Sequence, residues 1–387
     1  MSSRRIYLDN AATTRLDPRV LDAMRPYLEE SHGNPSSLHG DGRETKAAIE
    51  NARAKVARLL VADPSEIFFT SSGTESDNMA LIGAATASRS GHRRIVVGAF
   101  EHPAILEQSD HLGELGFEVV HVRPNEEGII EPDELRAQVA GAFIVSIMTA
   151  NNVVGTVQPI GELGIIAKDA GALFHTDAVQ AVGKIPMNMS SMPVDLLSMS
   201  AHKIYGPKGI GALFIRKGVA VKPLLHGGGQ EKGIRPSTEN VPGIVGLGRA
   251  CEICLDEMSD ESVRLVKLRD SLIEEISRRI PNSYLIGHRY RRLPGLVCIG
   301  FSGMEGEAIS LLLALDEKGF SVSSGSACSS NHAGQAPQSL VSMGFDPFKA
   351  RGSLRISLGR FNTEDDVEEF IRELPIAVAG LRKITSR

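Results

Sequence analysis

The sequence predicts an α/β protein, with a larger unit on a mostly parallel sheet and a smaller α+β C-terminal unit. Three observations predict it. Between residue 19 and about 255, short β-branched-rich apolar runs alternate with helical patterns, as in a parallel sheet covered on both faces. From about residue 259 the pattern changes to a long charged helix followed by mixed strands and helices. The chain has 387 residues, more than one core commonly serves, so two domains are expected. The boundaries are drawn at 16–258 for the large domain and at 1–15 with 259–387 for the small one.

Taken in order, helical patterns cover Arg43–Leu60, Thr74–Ser88, Ala104–Leu115, Pro132–Val139, Ile160–Ala170 and Asn240–Met258. Between them lie the strand runs Ile67–Thr70, Ile95–Ala99, Glu118–Val122, Phe143–Met148, Leu173–Thr176, Leu196–Met199 and Gly211–Ile215. In the C-terminal part, Val263–Arg279 reads as a helix stopped by Pro281. A strand Gly295–Phe301 and a helix Glu305–Lys318 follow, the helix closed by Gly319 at the position after its cap. Strands Phe320–Ser323 and Ser353–Leu358 come next. A last helix starts at Thr363, which can cap it with Asp366 three residues on.

Bulk properties exclude several classes. The net charge of −5 gives no basic footprint for nucleic acid, so direct nucleic-acid binding is not expected. Met-Ser-Ser-Arg-Arg opens the chain without an apolar signal core, and Leu311–Leu315, the longest apolar stretch, is too short to span a bilayer. A soluble cytoplasmic protein with no membrane contact is expected, its four cysteines as thiols.

The chemistry-bearing residues fall at strand ends, where open parallel sheets bind ligands. Lys203 stands just past the run Leu196–Met199, in Ser-Ala-His-Lys-Ile-Tyr-Gly-Pro-Lys-Gly (200–209). A lysine in a cleft there, partly desolvated, becomes a neutral amine able to attack a carbonyl. Ser71-Ser72-Gly73-Thr74-Glu75 follows a strand and opens a helix, which makes either a plain cap or a phosphate site of exposed N–H groups. No Gly-Lys-Ser/Thr is present, so a nucleotide P-loop is excluded. His102 suits either ring stacking or proton movement. Asp177 ends a strand, where a carboxylate can keep a pyridine nitrogen protonated, and Gln180 lies three residues on. A phosphate cradle, a ring-acid partner and a lysine, in that order, describe pyridoxal phosphate better than a nucleotide. Cys328, in a glycine- and serine-rich loop, suits a reactive thiol, whereas Cys298 reads as a buried strand residue. Cys251 and Cys254 have C-x-x-C spacing, but no second ligand pair follows, so no metal site is expected. Arg355 reads either as a fork for a substrate carboxylate or as an edge-strand surface arginine.

With these motifs the chain resembles the cysteine desulfurases, class V members of the fold type I pyridoxal phosphate enzymes, over nearly its whole length. Tyr-Leu-Asp-Asn-Ala-Ala-Thr-Thr (7–14), Gly-Asn-Pro-Ser-Ser-Leu-His (33–39), Gly-Thr-Glu-Ser-Asp-Asn (73–78), Glu-His (101–102), the pair Asn151-Asn152, His-Thr-Asp-Ala-Val-Gln (175–180) and the Lys203 motif carry the resemblance. Ser-Ser-Gly-Ser-Ala-Cys (323–328) is its most specific part.

The resemblance implies that Lys203 carries pyridoxal 5'-phosphate covalently and that Gly73, Thr74, Ser200 and His202 hold the phosphate. It implies that Asp177 pairs with the pyridine nitrogen, Gln180 with the phenolic oxygen, and that His102 stacks on the ring. Asn152 and Arg355 would face the substrate carboxylate, with Asn34 beside them, and Thr238 would reach a phosphate across a homodimer interface. The implied reaction turns L-cysteine into L-alanine and leaves a persulfide on Cys328 for an acceptor protein. The family usually has a glutamate where Val153 stands, and Ser-Gly where Pro236-Ser237 stands. The chain stops soon after its last helix, without the longer tail of the housekeeping iron–sulfur members, which favours a dedicated acceptor such as a tRNA-thiolation or DNA-phosphorothioation pathway; an iron–sulfur pathway stays open. Selenocysteine lyase is the nearest rival. A catalytically silent binding partner is the rival of another class, expected to lack Lys203 or Cys328, and a nucleotide-binding Rossmann protein is opposed by the absence of G-x-G-x-x-G.

Overall fold

The computed structural model describes residues 5–88, 91–324 and 336–385. Cys328, the thiol expected to carry sulfur, lies outside the described residues.

The strands are β1 (Ile6–Tyr7), β2 (Ile67–Thr70), β3 (Arg94–Gly98), β4 (Glu118–Val122), β5 (Ala142–Ser146), β6 (Leu173–Asp177), β7 (Leu196–Ser200), β8 (Gly211–Ile215), β9 (Ser283–Ile286), β10 (Leu296–Phe301), β11 (Phe320–Ser321) and β12 (Leu354–Ser357). Seven form one sheet in the order β2-β8-β7-β6-β5-β3-β4. Neighbours from β4 to β7 pair in parallel, and β8 runs antiparallel to both β7 and β2. The exception has a length reason. Only residues 201–210 separate β7 from β8, fewer than the dozen or so a parallel crossover needs. Every residue of β7 is buried, as expected of a strand covered on both faces.

Two helical expectations are corrected, the smaller being Ala104–Leu115, which is two short helices, Pro103–Leu106 and Ser109–Glu114. The patterns Asn240–Met258 and Val263–Arg279 are a single helix, Val241–Arg279. The intervening Ser259-Asp260-Glu261-Ser262 holds no proline or glycine, so nothing ends the helix there. What changes is the core it serves. Leu247, Cys251 and Cys254 pack with the seven-stranded sheet, together with Val145, Phe174 and Leu197. Leu268, Leu272 and Ile276 pack in a second core with Phe301, Phe320 and Phe370. The shift of composition near residue 259 is therefore a change of packing partner along one rod.

The second core lies against a sheet in the order β12-β10-β9 and the parallel pair β1-β11. β9 is a short edge strand that the sequence pattern did not single out; three of its four residues are only half-buried. Gly319, at φ 88°, turns the helix Ala308–Glu317 into β11, a conformation that costs glycine little. Thr363 and Asp366 cap the last helix reciprocally: Asp366 N–H donates to Thr363 Oγ1 at 3.3 Å, and Thr363 N–H to Asp366 Oδ2 at 3.1 Å.

Asp17 ties the N-terminal segment to the C-terminal one. It caps the helix Pro18–Glu29 through Arg19 N–H at 2.9 Å and accepts from Arg360 Nη1 at 2.8 Å. Burial by itself would raise this carboxyl, but the bonds from Arg19 and Arg360 outweigh it and hold it at about 2, below its ordinary 3.8. A depressed carboxyl stabilises the fold above the unfolded value and loses that contribution as pH falls through the folded one. The linkage amounts to roughly 2 kcal/mol at neutral pH, about half of it gone by pH 3. Asp17→Asn is thus expected to lower the melting temperature more at pH 6 than at pH 3. An equal loss at both, by calorimetry, would assign the effect to something other than the charge.

Candidate active site

The register of β6 and β7 builds the site. Asp177 at the end of β6 stands opposite Ser198 of β7, and the single turn Ala201–Lys203 follows β7 directly. Asp177, Gln180, Ser200, His202 and Lys203 therefore leave two adjacent parallel strands at the same edge of the sheet.

Lys203 Nζ donates to the carbonyl oxygens of Ala11 and Ala12, both at 2.7 Å. Gln180, buried, donates Nε2 to the same Ala11 oxygen at 2.9 Å. His202 Nδ1 lies 3.1 Å from Thr13 Oγ1, and Thr14 bonds the His202 carbonyl and the Tyr205 N–H. The segment Ala11–Thr14 is thus one wall of the site. Its motif was visible in the sequence, but no role was attached to it there, because backbone carbonyls leave no residue-type signal.

Asp177 accepts the Val179 N–H on Oδ1 at 2.8 Å. Burial raises its carboxyl, while His102 and Lys203 pull it back toward the charged form. His102, half-buried, caps the helix Pro103–Leu106 by accepting the Ala104 N–H on Nδ1 at 3.1 Å. Burial lowers its affinity for a proton; Asp177 works against this and Lys203 with it. Burial together with Lys203, Lys208 and Lys184 holds His202 at about 4, so at neutral pH this imidazole is uncharged.

Beneath Asp177 lies a buried layer that sequence reasoning missed. His175 bonds Ser146 Oγ at 2.8 Å and Ser198 Oγ at 3.1 Å, and its Nε2 is 3.7 Å from Asp77 Oδ1. Glu101 accepts the Met148 N–H at 2.7 Å. Burial lifts both Asp77 and Glu101 well above the carboxylate range, and Asp177 adds to each. Burial raises Asp177 as well, but of the three only Asp177 has His102 and Lys203 drawing it toward the charged form. The only hints in the sequence were the motifs that contain Asp77, Glu101 and His175.

At the opening of the helix Gly73–Asn78, a Cβ on Gly73 would stand 2.6 Å from Val179 Cγ2 and 3.5 Å from Ser200 Cβ. Only glycine keeps this approach open between the helix start and the Ser200 turn. Ser200 Oγ is buried and, among the described residues, has no hydrogen-bond partner. Such a hydroxyl costs about 1–3 kcal/mol unless something else bonds it. Together with exposed Thr74, the arrangement fits an anionic group lodged between Gly73 and Ser200. With Asp177 and Lys203 beyond it, the cleft fits pyridoxal phosphate.

Arg355, on β12, is fully buried, which removes the surface-arginine alternative. Nη1 donates to the Asn152 carbonyl at 3.0 Å and Nη2 to Asp9 Oδ1 at 2.8 Å, while Nε is enclosed without a partner among the described residues. Ser323, at the root of the segment that leads to Cys328, forms a two-way backbone bridge with Arg355, at 2.7 and 3.1 Å. Val153, where the family usually has glutamate, packs in an apolar cluster with Cys298 and Leu340, against Ala336 at the return of that segment.

Two predicted site residues stand apart. Asn34 is exposed and uses its Oδ1 on the Ser36 N–H at 2.9 Å. Thr238 is exposed, in a cleft lined also by Thr70, Ser71 and Arg235. No described contact joins either to Lys203. Cys251 and Cys254 are buried; burial pushes the Cys254 thiol up to about 11, so neither is a ready nucleophile.

The description "aminotransferase class-V" matches residues 6–370. The chain belongs to the class V aminotransferase family. It is 47% identical over 384 residues to the cysteine desulfurase IscS of Dictyoglomus turgidum, covering 99% of this chain and 96% of that one. A solved NifS-like protein superposes with a TM-score of 0.90 at 41% identity, over 97% of this chain and 99% of its own. The structure described as SspA in complex with cysteine gives 0.81 at 32% identity, over 92% and 99%. The architecture is that of the fold type I pyridoxal phosphate enzymes. No helix among the described residues is long and apolar enough to cross a membrane.

Proposed function

We propose that the protein is a pyridoxal phosphate-dependent cysteine desulfurase that converts L-cysteine to L-alanine and carries the released sulfur on Cys328 as a persulfide. The observation that carries this reading is the placement of Lys203, Asp177, Gly73 and Ser200 around one cleft. Identity of nearly half the residues to a named cysteine desulfurase, over almost the whole chain, supports it.

In this reading Lys203 is the attachment point, Asp177 holds the pyridine nitrogen, and Gln180 faces the phenolic oxygen. Gly73, Thr74, Ser200 and His202 hold the phosphate; the unbonded Ser200 hydroxyl and the space above Gly73 support that assignment. Bound there, pyridoxal phosphate supplies an electron sink for charge developing at the substrate Cα. Lys203 takes the Cα proton and returns one. His102 covers the ring; with Nδ1 accepting the Ala104 N–H, its Nε2 carries the hydrogen and can donate it. Arg355 and Asn152 hold the substrate carboxylate, supported by the enclosed Arg355 Nε. The Cys328 thiolate attacks the substrate sulfur, so the Cβ–S bond breaks, an S–S bond forms, and Cβ takes a proton to give alanine.

The reading extends to a large unit of 16–258 and a small one of 1–15 and 259–387, supported by the two cores along the long helix. It also extends to a cytoplasmic homodimer, in which Thr238, exposed and away from Lys203, reaches a phosphate of the second copy. Persulfide sulfur then passes to an acceptor protein.

Purified protein loaded with pyridoxal phosphate should release one L-alanine per L-cysteine in the presence of a thiol reductant, measured by amino-acid chromatography. Pyruvate and ammonia in place of alanine would exclude the reading.

A further inference from the structure

Lys184 has no part in the chemistry above, yet it sits in the same wall. It stands in the turn after β6, held by its N–H to the Ala181 carbonyl at 3.0 Å and by the Ser262 hydroxyl on its own carbonyl at 2.9 Å. Its Nζ donates to Gln180 Oε1 at 3.0 Å. Gln180 Nε2 donates at 2.9 Å to Ala11 O, which also accepts Lys203 Nζ at 2.7 Å. A continuous chain of bonds thus runs from Lys184 through the Gln180 amide and one carbonyl to Lys203.

We propose that Lys184 is a positioning residue that locks the Gln180 amide in one orientation, with its NH2 group toward the cofactor's phenolic oxygen and Lys203. The reason is the donor and acceptor inventory. An ammonium only donates and a carbonyl only accepts. With Lys184 at one end of the amide and Ala11 O at the other, one orientation satisfies both. A flipped amide would set NH2 against the ammonium and one carbonyl against another. In the observed orientation one N–H goes to Ala11, and the second remains for a phenolic oxygen. The lock is built into the fold on both sides, since Lys184 is anchored by the long helix at Ser262 and Ala11 by the Ser357 hydroxyl at 2.8 Å.

Charge reinforces the effect. Burial first, with Lys203 and Arg355 adding to it and Cys254 and Glu261 opposing, holds Lys184 at about 7. His202 faces it as well, as an imidazole that Lys184 helps to lower. Near neutral pH it is partly charged, and the charged form is the stronger donor to Gln180.

The inference rests on Lys203 as the attachment point and Gln180 as the residue beside the phenolic oxygen. Its test is a spectroscopic titration of the holoenzyme without substrate, following the visible band that reports protonation of the link between cofactor and Lys203. A donor fixed on the phenolic oxygen stabilises its negative charge and weakens its hold on the neighbouring proton. Losing the lock therefore makes that proton bind more tightly, so the midpoint rises. Lys184→Met, of similar length and apolar, should raise the midpoint by about one unit, a tenfold change in proton affinity. Lys184→Arg, still a donor and a cation, should restore most of it. In a Gln180→Leu background, Lys184→Met should shift the midpoint much less than in the wild type. A Lys184→Met midpoint equal to the wild type would overturn the proposal. So would an equal shift in both backgrounds, because Lys184 would then act by its charge and not through Gln180. If the wild-type protein shows no pH-dependent visible band with pyridoxal phosphate, the underlying reading of Lys203 fails instead, and that is visible before any variant is made.

Discussion

Lys203→Ala is expected to lose turnover by roughly 10⁴-fold or more, since general base catalysis alone contributes about 10²–10⁴ and this residue is also the proposed covalent attachment. The structure makes the loss specific. Lys203 Nζ lies on Ala11 and Ala12 at 2.7 Å, and the other described groups at the strand ends keep their own partners without it. Asp177 stays on the Val179 N–H, and Gln180 stays between Ala11 and Lys184. The phosphate cradle is untouched. The variant should therefore still bind pyridoxal phosphate, but reversibly. Borohydride should fix the cofactor to denatured wild-type protein and leave none on the variant. Near-normal alanine release by Lys203→Ala would remove Lys203 from the reaction.

How much of this was legible beforehand divides along physical lines. Strand runs such as Ile67–Thr70 and Gly211–Ile215 were readable because burial on both faces demands continuous apolar sequence. The candidate residues at their ends were readable only in combination, since Lys203, Asp177 and Gly73 each also have an ordinary use at a strand–helix junction. The long helix was misread as two, since charge and hydropathy report which surface a residue meets and not whether the backbone continues. The wall made by Ala11 and Ala12 was invisible, because a carbonyl oxygen belongs to every residue. Lys184 was passed over for a related reason: in sequence it is one lysine among many, and only burial against Gln180 distinguishes it. The buried acids Asp77 and Glu101 follow the same rule: their upward shift comes from a desolvation that no local pattern encodes.

Arg355 joins the two halves of the site. It holds Asp9 from the N-terminal wall and the Asn152 carbonyl from the strand-end side, and its backbone bridges Ser323, where the segment toward Cys328 departs. The residue proposed for the substrate carboxylate is thus bonded through its backbone to Ser323, near the start of the segment that contains Cys328.

Cys328→Ser should separate sulfur transfer from everything that precedes it. A hydroxyl is a far poorer nucleophile toward sulfur than a thiolate, while Asp177 keeps the Val179 N–H and Gln180 keeps Ala11 and Lys184 as partners. The variant should bind pyridoxal phosphate as the wild type does and show the same spectral change on adding L-cysteine. Alanine formation should fall by at least about a hundred-fold, with a barrier increase of roughly 3 kcal/mol or more. Sulfur-35 from labelled cysteine should stay on wild-type protein through gel filtration, leave it on treatment with dithiothreitol, and be absent from the variant. The competing acceptors are Cys251 and Cys254, both buried in the long helix with thiols raised by desolvation. Replacing both by alanine should leave labelling intact. If label instead persists on Cys328→Ser and disappears from that double variant, the persulfide belongs to the helix, and the Cys328 assignment is wrong.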